Sequence, residues 1–245
     1  MNLIILTYHY FHTDAPYGIP EHDFCYSVSA ERFRRDCAAM AESGYEIIRP
    51  NMLFEKLGDN LETRGILVSI DDGHDSVANV ACEILAHYNI SPILSIVPGL
   101  VGSRHYLPWS SLRELSEQGF AVESHSMNHR NLTRLGDAEL ITDLESARKA
   151  IEDNVGTPVS LLTVPMGRIN RKVVRAARTA GYRGIMTSFT GVNRRLEDAW
   201  SLKRFQVKSD APGDNLDRHF NPLSQPRLIG GLKNLARRVL IGLGR

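Results

Sequence analysis

The sequence predicts an α/β fold, a distorted and incomplete (β/α) barrel of TIM type. Apolar runs of strand length alternate about seven times with amphipathic helical segments, the pattern of βαβ units around a parallel sheet. The connections are short and no GxGxxG follows the first strand, which favours a barrel over a doubly wound sheet. The 245 residues, 42% hydrophobic and 23% charged, suffice for one sizeable core.

The elements follow in order. Residues 2–7 read as a strand and 10–28 as a long Pro-containing loop. Ser29 is a good N-cap for a helix over 30–42 that Gly44 ends. A short strand at 45–48 and a helix near 51–57 precede the apolar run 65–70, the central strand. Residues 75–88 form a helix with Val77, Val80, Ala81, Ile84 and Leu85 on one face. Strands follow at 92–97, 120–124, 161–164, 184–187 and 201–207, with helices at 109–118, 137–154 and 171–180 between them.

Composition narrows the function. A net charge of +1 gives no global field for nucleic acid. Three cysteines without CxxC spacing argue against a disulfide framework and for a reducing, cytoplasmic compartment. The opening MNLIILTYHYF has no basic n-region and reads as a strand, not a secretory leader. No run approaches the roughly 20 apolar residues of a spanning helix.

Residues 1–221 are expected to form the barrel domain, and 222–245 a basic amphipathic tail. That tail holds Arg227, Lys233, Arg237, Arg238 and Arg245 and no acid, with Leu228, Leu232, Leu235, Val239 and Leu243 on one helical face. A helix docked on the barrel and a peripheral membrane or partner contact are both open for it.

In a parallel barrel the chemistry sits at the C-terminal ends of strands. Those ends carry Tyr8-His9, Asp71-Asp72, the segment from His125 to His129, and Pro165-Met166-Gly167. Adjacent carboxylates at a buried strand end cost free energy unless a proton or cation offsets them. His125 and His129 are four apart, which on a helical turn puts both imidazoles on one face. With one carboxylate they make a two-His, one-carboxylate metal site with open positions. A divalent cation there would offset the acid pair, one Asp binding it and the other staying free.

The stretch SIDDG resembles the TFDDG motif of the polysaccharide deacetylases, the NodB-homology carbohydrate esterases, and HSMNHRNLTRL resembles their HSxxHPxLTxL motif. The segments VSAERFRRDCAAMAESGYEII and VPMGRINRKVVRAARTAGYRG fit the same frame, so the likeness covers roughly residues 4–210. It implies hydrolysis of an acetamide on an N-acetylated glycan or glycan precursor, with zinc or another divalent ion as cofactor. Asp71 would be the general base activating a metal-bound water, and Asp72, His125 and His129 the metal ligands. The Met166 backbone N–H would stabilise the oxyanion.

The leaving amine needs a general acid. Classical members draw it from a C-terminal LxxH motif, matched here only by Leu216 to His219. The N-terminal Leu6-Thr7-Tyr8-His9 instead resembles the circularly permuted exopolysaccharide deacetylases, which implies His9 as the acid; a core-facing His is the alternative. The third motif departs from the family: 162–167 reads Leu-Thr-Val-Pro-Met-Gly, without the aromatic and without the Arg that commonly orients the base. Arg130 stands where the second motif has Pro. Pro165 and Trp200 are substrate-facing candidates, Trp200 being as readily a core residue. His12, His22 and Asp23 could touch substrate, and His74 is given no role. Two alternatives to polysaccharide deacetylation stand: deacylation or deformylation of a lipid-linked aminosugar, and a glycan-binding relative without turnover.

Overall fold

The apolar run at 65–70 lies at the centre of the longest strand, β5 (Arg64–Asp72), which is buried on both faces, as a parallel sheet requires. The computed structural model describes residues 2–58 and 64–209. The tail expected at 222–245, with Leu216 and His219, lies outside the described residues.

The strands β1 (Asn2–Tyr8), β5, β6 (Ile93–Ile96), β7 (Ala121–Ser124), β8 (Leu161–Thr163), β9 (Gly184–Met186) and β10 (Phe205–Gln206) form one sheet in the order β10-β1-β5-β6-β7-β8-β9. Short β4 (Glu46–Ile47) joins the lower part of β5. All these pairs are parallel. The sheet curls until Leu202 meets Met186 of β9 in a single parallel bridge, just before β10 pairs with β1. This is the incomplete α/β barrel that the alternation predicts. Helices α1 (Ala30–Glu42), α2 (Leu53–Gly58), α3 (Cys82–His87), α4 (Trp109–Glu117), α5 (Asp137–Val155) and α6 (Arg171–Thr179) lie in the connections. Ser29 caps α1 by accepting the Arg32 N–H, and Gly156 closes α5 in the left-handed region at φ 83°.

Alternation sorts each strand's side chains into two sets. Ile4, Leu6, Ile66, Val68, Leu94, Val122, Leu162 and Ile185 pack outward with Phe33, Met40, Leu112, Leu144 and Val173 of the helices. Leu3, Ile5, Leu67, Ile93, Leu161, Met186 and Leu202 form a separate apolar cluster that plugs the lower lumen. One inward step higher the lining turns polar: Thr7 bonds Ser69 at 2.9 Å and Ser95 bonds Thr163 at 2.7 Å. One step further stand His9, Asp71 and His125.

Four expectations are corrected. The loop at 10–28 contains a parallel two-strand ribbon, β2 (Tyr10–His12) with β3 (Ser27–Ser29), joined through a 3-10 turn over Glu21–Tyr26. Three-residue strands are too short to show a period. The helix at 75–88 begins with a π-helical turn, Val77–Ala81, and becomes α only at Cys82. The helix near 51–57 opens as a 3-10 turn over Pro50–Met52. The last strand shrinks to Phe205–Gln206, because 3-10 geometry runs through Leu196–Ser201.

Candidate active site

Strict alternation would send Asp71 and Asp72 to opposite faces of β5. Asp72 instead adopts φ 74°, an uncommon left-handed conformation for a residue with a side chain, and both carboxylates line one cleft. Gly73 continues the turn at φ 78°, where a Cβ would also press on Ile96 at 3.1 Å.

Each carboxylate oxygen has its own neighbour. Asp71 Oδ1 accepts from Arg204 Nη1 at 2.8 Å, with both side chains almost fully buried. Asp71 Oδ2 faces His9 Nε2 at 4.0 Å. Asp72 Oδ2 accepts the Tyr10 hydroxyl at 2.9 Å, and Asp72 Oδ1 faces His125 Nε2 at 3.5 Å and His129 Nε2 at 3.7 Å. Burial alone would raise Asp71; Arg204, then His125 and His9, override it and hold the carboxyl well below the usual carboxylate range. Asp71 is therefore an ionised, deeply buried carboxylate. Burial and the charge of Asp72 push the Tyr10 phenol far above its usual range, so its oxygen keeps the proton.

Arg204 also donates to the Thr187 carbonyl at 2.9 Å and to Ser69 Oγ at 3.2 Å. An arginine thus reaches the acid pair from the segment entering β10 and not from the third motif. Sequence reasoning missed it, although LKRFQV carries a signal: an arginine inside an apolar strand needs a buried acid.

His125 continues from β7, its N–H bonding the Ile96 carbonyl at 2.8 Å. Its Nδ1 lies 2.8 Å from the Thr163 carbonyl. A carbonyl only accepts, so Nδ1 holds a proton and Nε2 is the ring nitrogen that faces the cleft. The two imidazoles do not share a helical turn as the spacing suggested. Ser126 at φ 64° and His129 at φ 52° fold the segment back on itself, bringing the rings to 4.8 Å and 73°. Arg130 anchors this loop to α5 by bonding Glu139 at 2.6 Å and Asp143 at 3.3 Å, while Asp143 also accepts the Met127 N–H. Burial, then His125, lower the His129 pKa and favour the neutral, ligating imidazole. One donor atom from each of Asp72, His125 and His129 lies within 4.8 Å of the others. Two imidazoles and one carboxylate so clustered fit a divalent cation such as zinc.

His9 ends the run from β1 with its ring 4.8 Å from that of Tyr26, and its Nδ1 is buried without a partner among the described residues. Met166 stands in the cleft wall at φ 57° and is 61% exposed. Pro165 is buried behind it, between the lining residues Val164 and Met166. Trp200 lies outside the cleft lining; it packs on the core with Arg178 stacked 4.3 Å from its ring. His22 and Asp23 do line the cleft, a space of about 720 Å³ that Tyr26, Leu100 and Tyr106 also face.

A parallel barrel with an acid pair, two imidazoles and a buried arginine at its rim defines a class of hydrolase. The family model for polysaccharide deacetylase matches residues 58–185, and the chain belongs to that family. Asp71, Asp72, His125, His129 and Met166 fall inside the match; His9 and Arg204 come from outside it. The chain is 24% identical over 202 residues to the poly-beta-1,6-N-acetyl-D-glucosamine N-deacetylase of Staphylococcus aureus (strain MRSA252), covering 76% of this chain and 69% of the relative. Two solved structures share the fold. The deacetylase PplD of Streptococcus pyogenes, in complex with acetate, superposes with a TM-score of 0.80 at 21% identity, covering 91% of this chain and 99% of that one. IcaB from Ammonifex degensii gives a TM-score of 0.77 at 20% identity, covering 91% and 97%.

Proposed function

We propose that this protein is a metal-dependent hydrolase that removes N-acetyl groups from an amino-sugar polysaccharide or its precursor. The observation that carries the reading is the separate partner of each oxygen in the Asp71–Asp72 pair. One carboxylate is bound to a buried arginine, and the other faces two imidazoles. The poly-beta-1,6-N-acetyl-D-glucosamine N-deacetylase relative supports the substrate class.

Asp72, His125 and His129 would hold the cation, and the donor set suits zinc. When bound, the cation supplies a Lewis acid that polarises the acyl oxygen and eases loss of a proton from water. Asp71 accepts that proton, ionised beforehand by its pairing with Arg204. The Met166 N–H in the cleft wall donates to the oxygen on which negative charge develops. His9, with its Nε2 4.0 Å from Asp71 Oδ2, delivers a proton to the departing amine nitrogen. The amide C–N bond breaks, water's oxygen ends in acetate, and the sugar keeps its amine.

The test is acetate release from N-acetylated amino-sugar oligosaccharides, with metal content measured in parallel. Acetate should appear, stop on chelation and return with zinc, and Asp72→Ala should carry no metal. A protein holding one metal per chain that releases no acetate from any such oligosaccharide overturns the reading.

A further inference from the structure

We infer that Tyr10 is a positioning residue that confines Asp72 to one ligating oxygen and so sets the affinity of the site for its metal. The inference rests on the metal reading of Asp72, His125 and His129.

The two oxygens of Asp72 face different chemistry. Oδ1 looks toward both imidazole Nε2 atoms, at 3.5 and 3.7 Å. Oδ2 accepts the Tyr10 hydroxyl at 2.9 Å. Rotation about the bond to a carboxylate is broad and two-fold, so an unrestrained Asp72 could offer either oxygen or both. A hydrogen bond on Oδ2 removes that freedom before any cation arrives.

Tyr10 is itself tightly packed. It is 3% exposed, and its backbone is paired with Ser27 in the β2–β3 ribbon. The ring meets His74 edge-on at 5.2 Å and 87°. The next residue, Phe11, donates its N–H to Ser76 Oγ at 3.1 Å, and Ser76 Oγ lies 2.9 Å from His74 Nδ1. The ribbon is thereby pinned to the turn that follows the acid pair. Tyr10 directly follows His9, so two adjacent residues where β1 gives way to β2 carry the proposed acid and the brace of a proposed ligand.

Outer partners that fix a ligand's orientation typically change metal affinity 10- to 100-fold when removed. Tyr10→Phe deletes the hydroxyl and keeps the ring. The measurement is zinc affinity by chelator competition on metal-free wild type and Tyr10→Phe, with the cobalt(II) absorption spectrum of each. Affinity should fall by about 10- to 100-fold and the cobalt spectrum should change. The melting temperature of the metal-free variant should drop by no more than about 2–4 °C, the scale of one hydrogen bond. Equal affinities and identical cobalt spectra would overturn the role of Tyr10 alone. A much larger fall in melting temperature with an unchanged cobalt spectrum would make Tyr10 merely structural and overturn it too. A wild type that binds neither metal overturns the metal reading itself, and the Tyr10 role with it.

Discussion

The lower lumen of the barrel and its upper rim are lined by alternate residues of the same strands. Along β5 the inward positions run Leu67, Ser69, Asp71; along β1 they run Leu3, Ile5, Thr7 and then His9. The lower cluster is apolar and shape-filling, and its contribution to folding comes from burial. At the rim the same periodicity delivers ionisable groups, which burial penalises unless each finds a partner. The plug makes the rim possible, because a packed floor holds charged groups at fixed distances and keeps water out from below. Apolar packing is concentrated at one end and ionisable groups at the other.

The sharpest way to break that comparison is Asp71→Asn. The rate of acetate release should fall by about 10²- to 10⁴-fold, the usual worth of a positioned base, with metal content unchanged. A comparable loss of metal would merge the roles of the two carboxylates. Next comes Arg204→Met, which leaves Asp71 as a buried charge without its cation. Urea unfolding should show a loss of about 3–5 kcal/mol, as when one partner of a buried ion pair is removed. Wild-type stability in that variant would mean that the rim tolerates an unpaired carboxylate. Leu67→Ala in the plug should cost about 2–5 kcal/mol and leave zinc affinity unaltered. An altered affinity would show that the two ends are coupled.

A last test concerns Glu123, another buried carboxylate with a different solution. It accepts the backbone N–H groups of Ser160 and Leu161 at 2.8 and 2.7 Å, where β7 and β8 pair only through Ser124 and Leu162. Burial dominates, and its pKa is pushed up to about 8 from an ordinary 4.5. The folded chain therefore holds a proton that the unfolded chain releases. This term is fully present below about pH 4.5 and is lost as pH rises through about 8. Glu123→Gln keeps an acceptor and removes the proton, so its stability should decline less than wild type between those limits. Parallel curves in chemical denaturation across that range would discount the protonated carboxyl.

Much of this was legible in the sequence. The buried strands show as apolar runs because a parallel sheet is covered on both faces, and the acid pair and the His segment stand at their ends. Arg204 was overlooked because its partner lies far along the chain, joined only by strand order and curl. The route from His125 to His129 was misread because i, i+4 spacing implies a shared face only on a helix, and left-handed residues achieve the same meeting here. Tyr10 has no local signature: its hydroxyl matters only through the ribbon that folds it onto Asp72. Trp200 showed the converse, a residue suited to sugar stacking that the fold spends on Arg178.

Closure of the sheet has a consequence for how the protein matures. Arg204 and Asp71 are separated by 133 positions, and the pairing of β10 with β1 brings them together. A nascent chain that has emerged only as far as β9 holds Asp72, His125 and His129, yet its Asp71 still lacks Arg204 as a counter-charge. Ring completion thus decides when the buried Asp71 charge is paired: the segment entering the last strand of the sheet brings in its counter-ion.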